Sequence, residues 1–319
     1  TFYTLALPGL LVSHWLLDRY TVLPDQTGLL QAATACITLS FGLMLGLVPF
    51  HAWVPAVGSD GAPLTSAFLY TVTTGGVWFL LLSYLETYPW LTEFAQWRSL
   101  LTTVGGITAL AGGILGTTRR SAGTLMGYSV MVDTGMMAVV LAHGTQRGLS
   151  AAITMLLARA LGTGLMAAGL AELRERCGSG NLPDGMGREA PWSALAVFVG
   201  GLSLAGLPPT VGFAARWALL SNVAGVSRVT GLILLLAPIG TTIGLLRLMV
   251  RLLRKPGSPL SDLSPQEERA EKSGPPPQSP LDVALLLIFT VATLTFGLFP
   301  QWLATAADRM ATHFSFFTP

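Results

Sequence analysis

The chain has 319 residues, of which 51% are hydrophobic and only 11% charged, and its mean hydropathy is +0.61. Soluble domains carry about a quarter charged residues, so this composition excludes a soluble globular domain and defines an all-α polytopic membrane protein. A formal net charge of +2, with no basic run apart from the membrane flanks, excludes a nucleic-acid partner and leaves lipids as the immediate surroundings.

A membrane span needs about 20 largely apolar residues. Nine stretches qualify, near residues 2–17, 29–54, 64–85, 100–117, 122–143, 150–172, 192–221, 229–250 and 282–303. The first is short and starts at Thr1 without a methionine or a basic leader, so no signal peptide is assigned and the chain is read as processed or as a fragment. The second runs uncharged into Pro49, Phe50 and His51, followed by Pro55 and an Asp-Gly-Ala-Pro turn. Proline lacks a backbone donor and clashes with the preceding turn, so Pro49 and Pro55 predict a discontinuous helix. The seventh span is too long for one crossing and carries Pro208 and Pro209 near its middle, which predicts a second discontinuous helix.

Lys and Arg concentrate in cytoplasmic loops. Ten of them lie after the fourth, sixth and eighth spans, against one each (Arg19, Arg98, Arg147, Arg228) after the first, third, fifth and seventh. This bias predicts a C-terminus on the outer side. Residues 254–280 hold seven prolines among Ser, Glu and Lys, a composition that cannot build a core. The expected organisation is a transmembrane bundle over 1–253, a flexible cytoplasmic linker over 254–280, and a last span with an outer tail over 281–319.

Ionisable groups inside a membrane are costly and mark function by default. Away from the span ends they are His51, Asp133, Arg159, Arg216 and Arg247, the last close enough to the surface to snorkel. His51 suits either a capping role or proton transfer. Asp133 and Arg159 flank the turn near His143–Gly148 by roughly ten residues each, which places both about 15 Å deep on a helical hairpin. That shared depth predicts a buried Asp133–Arg159 ion pair, with a structural or a functional role. Arg216 follows the second break, where it either holds free carbonyls or supplies a fixed charge; arginine stays protonated in both cases.

Four motifs are similar to one family. LVPFHAWVPAVGSDGAP at the first break, GTLMGYSVMVDTG in the fifth span, GLSLAGLPPTVGFAARW at the second break and FGLFPQWLATAA at the last span resemble the antiporter-like, proton-conducting subunits of the membrane arm of respiratory complex I. Mrp-type cation/proton antiporters and membrane-bound hydrogenases share that family. The resemblance implies the last nine of roughly fourteen helices arranged in inverted repeats. It also implies a bacterial-type inner membrane or its equivalent, and other integral-membrane subunits as partners. The lysines of the family pattern fall on Met44, near Thr74, near Gly123 and on Gly162, its histidine falls on Ala158, and only Arg216 keeps a cation at its position.

No cysteine cluster, dinucleotide fingerprint or haem-spaced histidine pair occurs, so no cofactor, metal or catalytic centre is assigned and electron transfer is left to partners. Two functions stay open. The chain takes part in proton translocation within a complex I-like assembly, with His51, Asp133, Arg159 and Arg216 as its polar axis. Alternatively it is a non-pumping member that serves as scaffold. A third, the membrane half of an inorganic-carbon uptake system, has no residue in its favour.

Overall fold

The computed structural model describes residues 2–23, 27–89, 91, 95–119, 121–177, 185–225, 227–254 and 279–314. Most of the expected 254–280 linker lies outside these, as do Arg120, Lys255, Arg269 and Lys272 of the basic loops. The described elements are all helical. They are α1 (Phe2–Val22), α2 (Thr27–Leu45), α3 (Trp53–Asp60), α4 (Pro63–Thr87, with a π-helical turn at Leu69–Thr73), α5 (Ala95–Thr118), α6 (Ala122–Ala142) and α7 (Gln146–Cys177). There follow the short α8 (Met186–Glu189), then α9 (Pro191–Ala205), α10 (Val211–Ala224), α11 (Arg228–Leu253), α12 (Pro280–Leu298) and α13 (Gln301–Ala311).

Among the described residues seven helices are long and apolar enough to cross a membrane: α2, α4, α5, α6, α7, α11 and α12. Two of the nine expected spans fall outside that set. The first is α1, with Asp18 and Arg19 near its end, and the seventh is divided into α9 and α10. The last expected span, 282–303, stops at Leu298, and Pro300 caps the separate amphipathic α13.

Both breaks have one backbone design. Gly46 and Gly206 take left-handed conformations, with φ of +66° and +71°. A side chain is strained there, and glycine reverses the chain without that cost. The N–H of Leu47 then bonds the carbonyl of Gly42, and that of Leu207 the carbonyl of Leu202, both at 3.0 Å. This six-to-one bond closes the end of each half-helix. The Val48–Pro49 and Pro208–Pro209 peptides that follow are both cis. Pro55 differs from the expectation of a break. It sits in the first turn of α3, where an amide N–H has no helical partner to lose, so it opens the second half-helix.

α6 is apolar all round, its central stretch is buried on every side, and it is the axis of the bundle. Close approach is possible because Gly123 and Gly127, one turn apart, lie under α3: Gly123 abuts the backbone of Gly58, and Gly127 that of Val54 and Pro55. Small residues let membrane helices come together at backbone distance. At the rim, α11 and α12 turn large apolar side chains such as Leu235, Val250, Leu285 and Ile288 outward, as lipid contact requires. A Cβ on Gly127 would stand 2.8 Å from Pro55 Cα and 2.9 Å from Tyr70 Oη. Gly127→Val is therefore expected to cost about 1–3 kcal/mol by overpacking. Lipid-facing Ile288→Val should leave the thermal unfolding midpoint of the solubilised protein unchanged.

Candidate functional site

The second break carries the buried charges. Its glycine turn uses the carbonyls of Leu202 and Ser203, which leaves those of Leu204 and Ala205 open at the end of α9. In a membrane an open carbonyl needs a protein partner. Arg216, on α10, turns back to supply one: Nη1 donates to Ala205 O, and Nη2 to Leu204 O and to Asp133 Oδ1. The Arg216–Asp133 ion pair spans 2.5 Å, with side-chain exposures of only 4% and 0%. One planar guanidinium thus ties both halves of the broken helix to the axial helix α6. A lysine, with its single nitrogen, cannot match this fork.

This overturns the expected Asp133–Arg159 ion pair. Arg159 is buried at the predicted level, but its Nη1 donates to Thr134 Oγ1 at 3.0 Å and its Nη2 points to Met137 Sδ at 3.8 Å. Successive residues of a helix are rotated by about 100°. Thr134 therefore faces α7 while Asp133 faces the α9–α10 joint. Arg159 acts on Asp133 only through space. Asp133 Oδ2 and the Nε atoms of Arg159 and Arg216 are buried without a protein hydrogen-bond partner.

His51 is apart from this cluster. Among the described residues no hydrogen bond or ion pair joins it to the other three; its carbonyl accepts from Val54 N at 3.0 Å and opens α3, and its Nδ1 is buried unpartnered. The first break is held by neutral contacts instead: Trp53 Nε1 donates to Leu43 O at 3.1 Å, and the Thr108 hydroxyl accepts from Val48 N at 3.0 Å. Sequence reasoning passed over Trp53 and Thr108. A tryptophan placed seven residues after the left-handed glycine, able to reach back to the open carbonyls, was the available signal for the first.

Of the positions at or near which the resemblance implies lysine, Gly123 is closed by backbone and Gly162 is crowded by side chains. A Cβ on Gly123 would strike Gly58 O, and one on Gly162 would stand 3.1 Å from Ser203 Oγ and 3.2 Å from its Cβ. Met44 lies in the apolar core, and the Thr74 hydroxyl donates to Tyr70 O at 2.5 Å.

An axial buried helix, two interrupted helices of one design and a charge pair at the second interruption define a polytopic membrane protein of the antiporter-like kind. The family described as NADH:quinone oxidoreductase/Mrp antiporter, TM matches residues 21–244, and the chain belongs to it. NADH-quinone oxidoreductase subunit N 2 of Herpetosiphon aurantiacus is 34% identical over 207 residues, covering 60% of this chain and 38% of the relative. NAD(P)H-quinone oxidoreductase subunit 2 of Gloeobacter violaceus is 28% identical over 303 residues, covering 88% and 57%. The chain thus spans about half the length of the curated relatives it matches. Two solved structures share the fold: the Mrp complex of a Dietzia species (TM-score 0.79, 18% identity, covering 98% of this chain and 66% of that one) and respiratory complex I from Thermus thermophilus with bound aureothin (TM-score 0.72, 22% identity, 96% and 67%).

Removing one partner of a buried ion pair costs about 3–5 kcal/mol, because the other is left charged and dry. Arg216→Met should therefore lower thermal stability sharply, and Asp133→Leu added to it should recover part of the loss. A coupling of about 0.5–3 kcal/mol is expected from the double-mutant cycle. Arg159→Met with Asp133→Leu should show the weaker coupling of a pair without a shared hydrogen bond.

Proposed function

We propose that the chain is an antiporter-like part of the membrane arm of a complex I-like assembly and takes part in proton translocation coupled to electron transfer in partner subunits. The observation that carries this reading is the buried Asp133–Arg216 pair at the break of α9 and α10. Asp133 is the one member of the Asp133–Arg159–Arg216 cluster that can gain and release a proton, since both arginines stay charged. Protonation of Asp133 removes the charge that holds Arg216 to α6 and leaves a neutral carboxyl oxygen, beside the two α9 carbonyls, to accept from the guanidinium. The proton state of one carboxylate thereby controls how firmly the broken helix is tied to the bundle axis.

The orientation that fits the loop charges puts the ends after α5, α7 and α11 in the cytoplasm and the C-terminus on the outer side of a bacterial-type inner membrane. The 254–280 segment then serves as a cytoplasmic linker between the bundle and its last span. Other integral-membrane subunits of the assembly are the partners.

The second reading, a non-pumping scaffold, is favoured by a separate observation: the backbone of Gly58 closes Gly123, near a position where a relay lysine belongs, and the Ser203 side chain crowds Gly162. The two readings part on one measurement. In the assembled complex reconstituted in vesicles, Asp133→Asn is expected to lower proton flux at least about tenfold, equivalent to about 1.4 kcal/mol, while assembly and partner electron transfer persist. Unchanged flux from an intact complex establishes the scaffold.

A further inference from the structure

We propose that the groove between the C-terminal ends of α5 and α11 is a binding site for the phosphate headgroup of an anionic phospholipid. The two helices run side by side, with Gly113 and Gly240 in backbone contact; Arg247 Nη1 donates to Thr117 O at 2.8 Å, so α5 ends near the level of Arg247 while α11 continues to Leu253. The groove between their ends encloses about 700 Å³. Four arginines line it, Arg119, Arg247, Arg251 and Arg254, and no carboxylate is among its described lining residues. Arg119 is steadied over the ring of Tyr128, at 6.0 Å.

Cations are ordinary at helix C-termini, where they offset the partial negative charge. That role accounts for Arg247, which caps the end of α5. It does not account for bringing Arg119 and Arg254 to the same pocket, where like charges repel. An anion held among them reverses the sign of that term. The pocket lies at the ends of membrane helices, at headgroup level, and basic pockets between such helices suit anionic lipid heads. Arg247 and Arg254 are about 10 Å apart along the axis of α11, a depth that spans a phosphate and its glycerol esters. Ile243 and Ile239, 39% and 49% exposed, continue from the pocket along α11 toward the membrane interior, where acyl chains lie.

Inorganic phosphate shares the headgroup chemistry but has no acyl chain, so it separates the two sources. The full chain, purified in detergent, is titrated with phosphatidylglycerol, phosphatidylcholine or inorganic phosphate and followed by native mass spectrometry. Phosphatidylglycerol is expected to be retained at least about tenfold more tightly than phosphatidylcholine, a preference of about 1.4 kcal/mol. Arg119→Gln combined with Arg254→Gln should abolish that preference at an unchanged melting temperature, and the paired lysine substitutions should keep most of it. As a check on the unaltered chain, rising salt should erode the preference. Equal retention of the two lipids, an undiminished preference in the glutamine variant, or inorganic phosphate binding as tightly as the lipid would each overturn the assignment.

Discussion

A helix interrupted inside a membrane leaves carbonyl oxygens that water cannot reach, and this chain answers that constraint twice. At each break a left-handed glycine closes part of the helix end by backbone bonds alone. What remains is satisfied differently. At the first break the indole of Trp53 donates to the carbonyl of Leu43 and the hydroxyl of Thr108 accepts from Val48 N, both neutral groups. The second takes the guanidinium of Arg216, and a guanidinium brings a charge that must itself be balanced. Asp133 supplies the balance from α6, so the electrostatics of one broken helix fix its packing against the axis of the bundle.

The balance is incomplete. Two buried arginines and one buried aspartate carry a formal excess of one positive charge, with Arg159 held by a hydroxyl and a thioether sulfur. Hydrogen bonds to a hydroxyl satisfy a donor but do not neutralise it. Asp133 therefore has two cations acting on it and one carboxylate oxygen without a protein donor. It is the one group of this cluster whose charge a proton can cancel, because both arginines stay charged. The glycines at 123 and 162 push in the same direction: they exchange side-chain room for helix contact, and whatever proton traffic the bundle supports has to pass without lysines there.

Much of this was legible in the sequence where local chemistry decides it. Proline marks both breaks, and the scarcity of intramembrane charges singles out Asp133, Arg159 and Arg216, all three of which are buried. Arg247 was rightly set aside as a residue near the surface: it is exposed and caps α5. The pairing was not legible. Depth along a helical hairpin can be counted from the turn, and it put Arg159 beside the correct turn of α6. Azimuth cannot be counted without knowing which helices surround that turn, and a shift from residue 133 to 134 changes the neighbour from the α9–α10 joint to α7. Pro55 shows the same limit on a local scale, since a proline that ends one helix and a proline that starts the next look alike until the break is located.

The contrast between the breaks bears on where motion and charge are coupled. A rearrangement at the first break exchanges neutral hydrogen bonds and alters no charge contact among the described residues. Movement at the second cannot occur without displacing Arg216 from two carbonyls, from Asp133, or from both. The first of these exposes unsatisfied backbone in an apolar interior, a cost of the order of 1–3 kcal/mol per group. The second is opposed by Coulomb attraction only while Asp133 is ionised. Of the two, the contact to Asp133 is the one that a single proton can release, and it is also the one that joins the broken helix to the axis. Proton occupancy acts on this break through a buried ion pair, which the first break lacks among the described residues even though both share one backbone design.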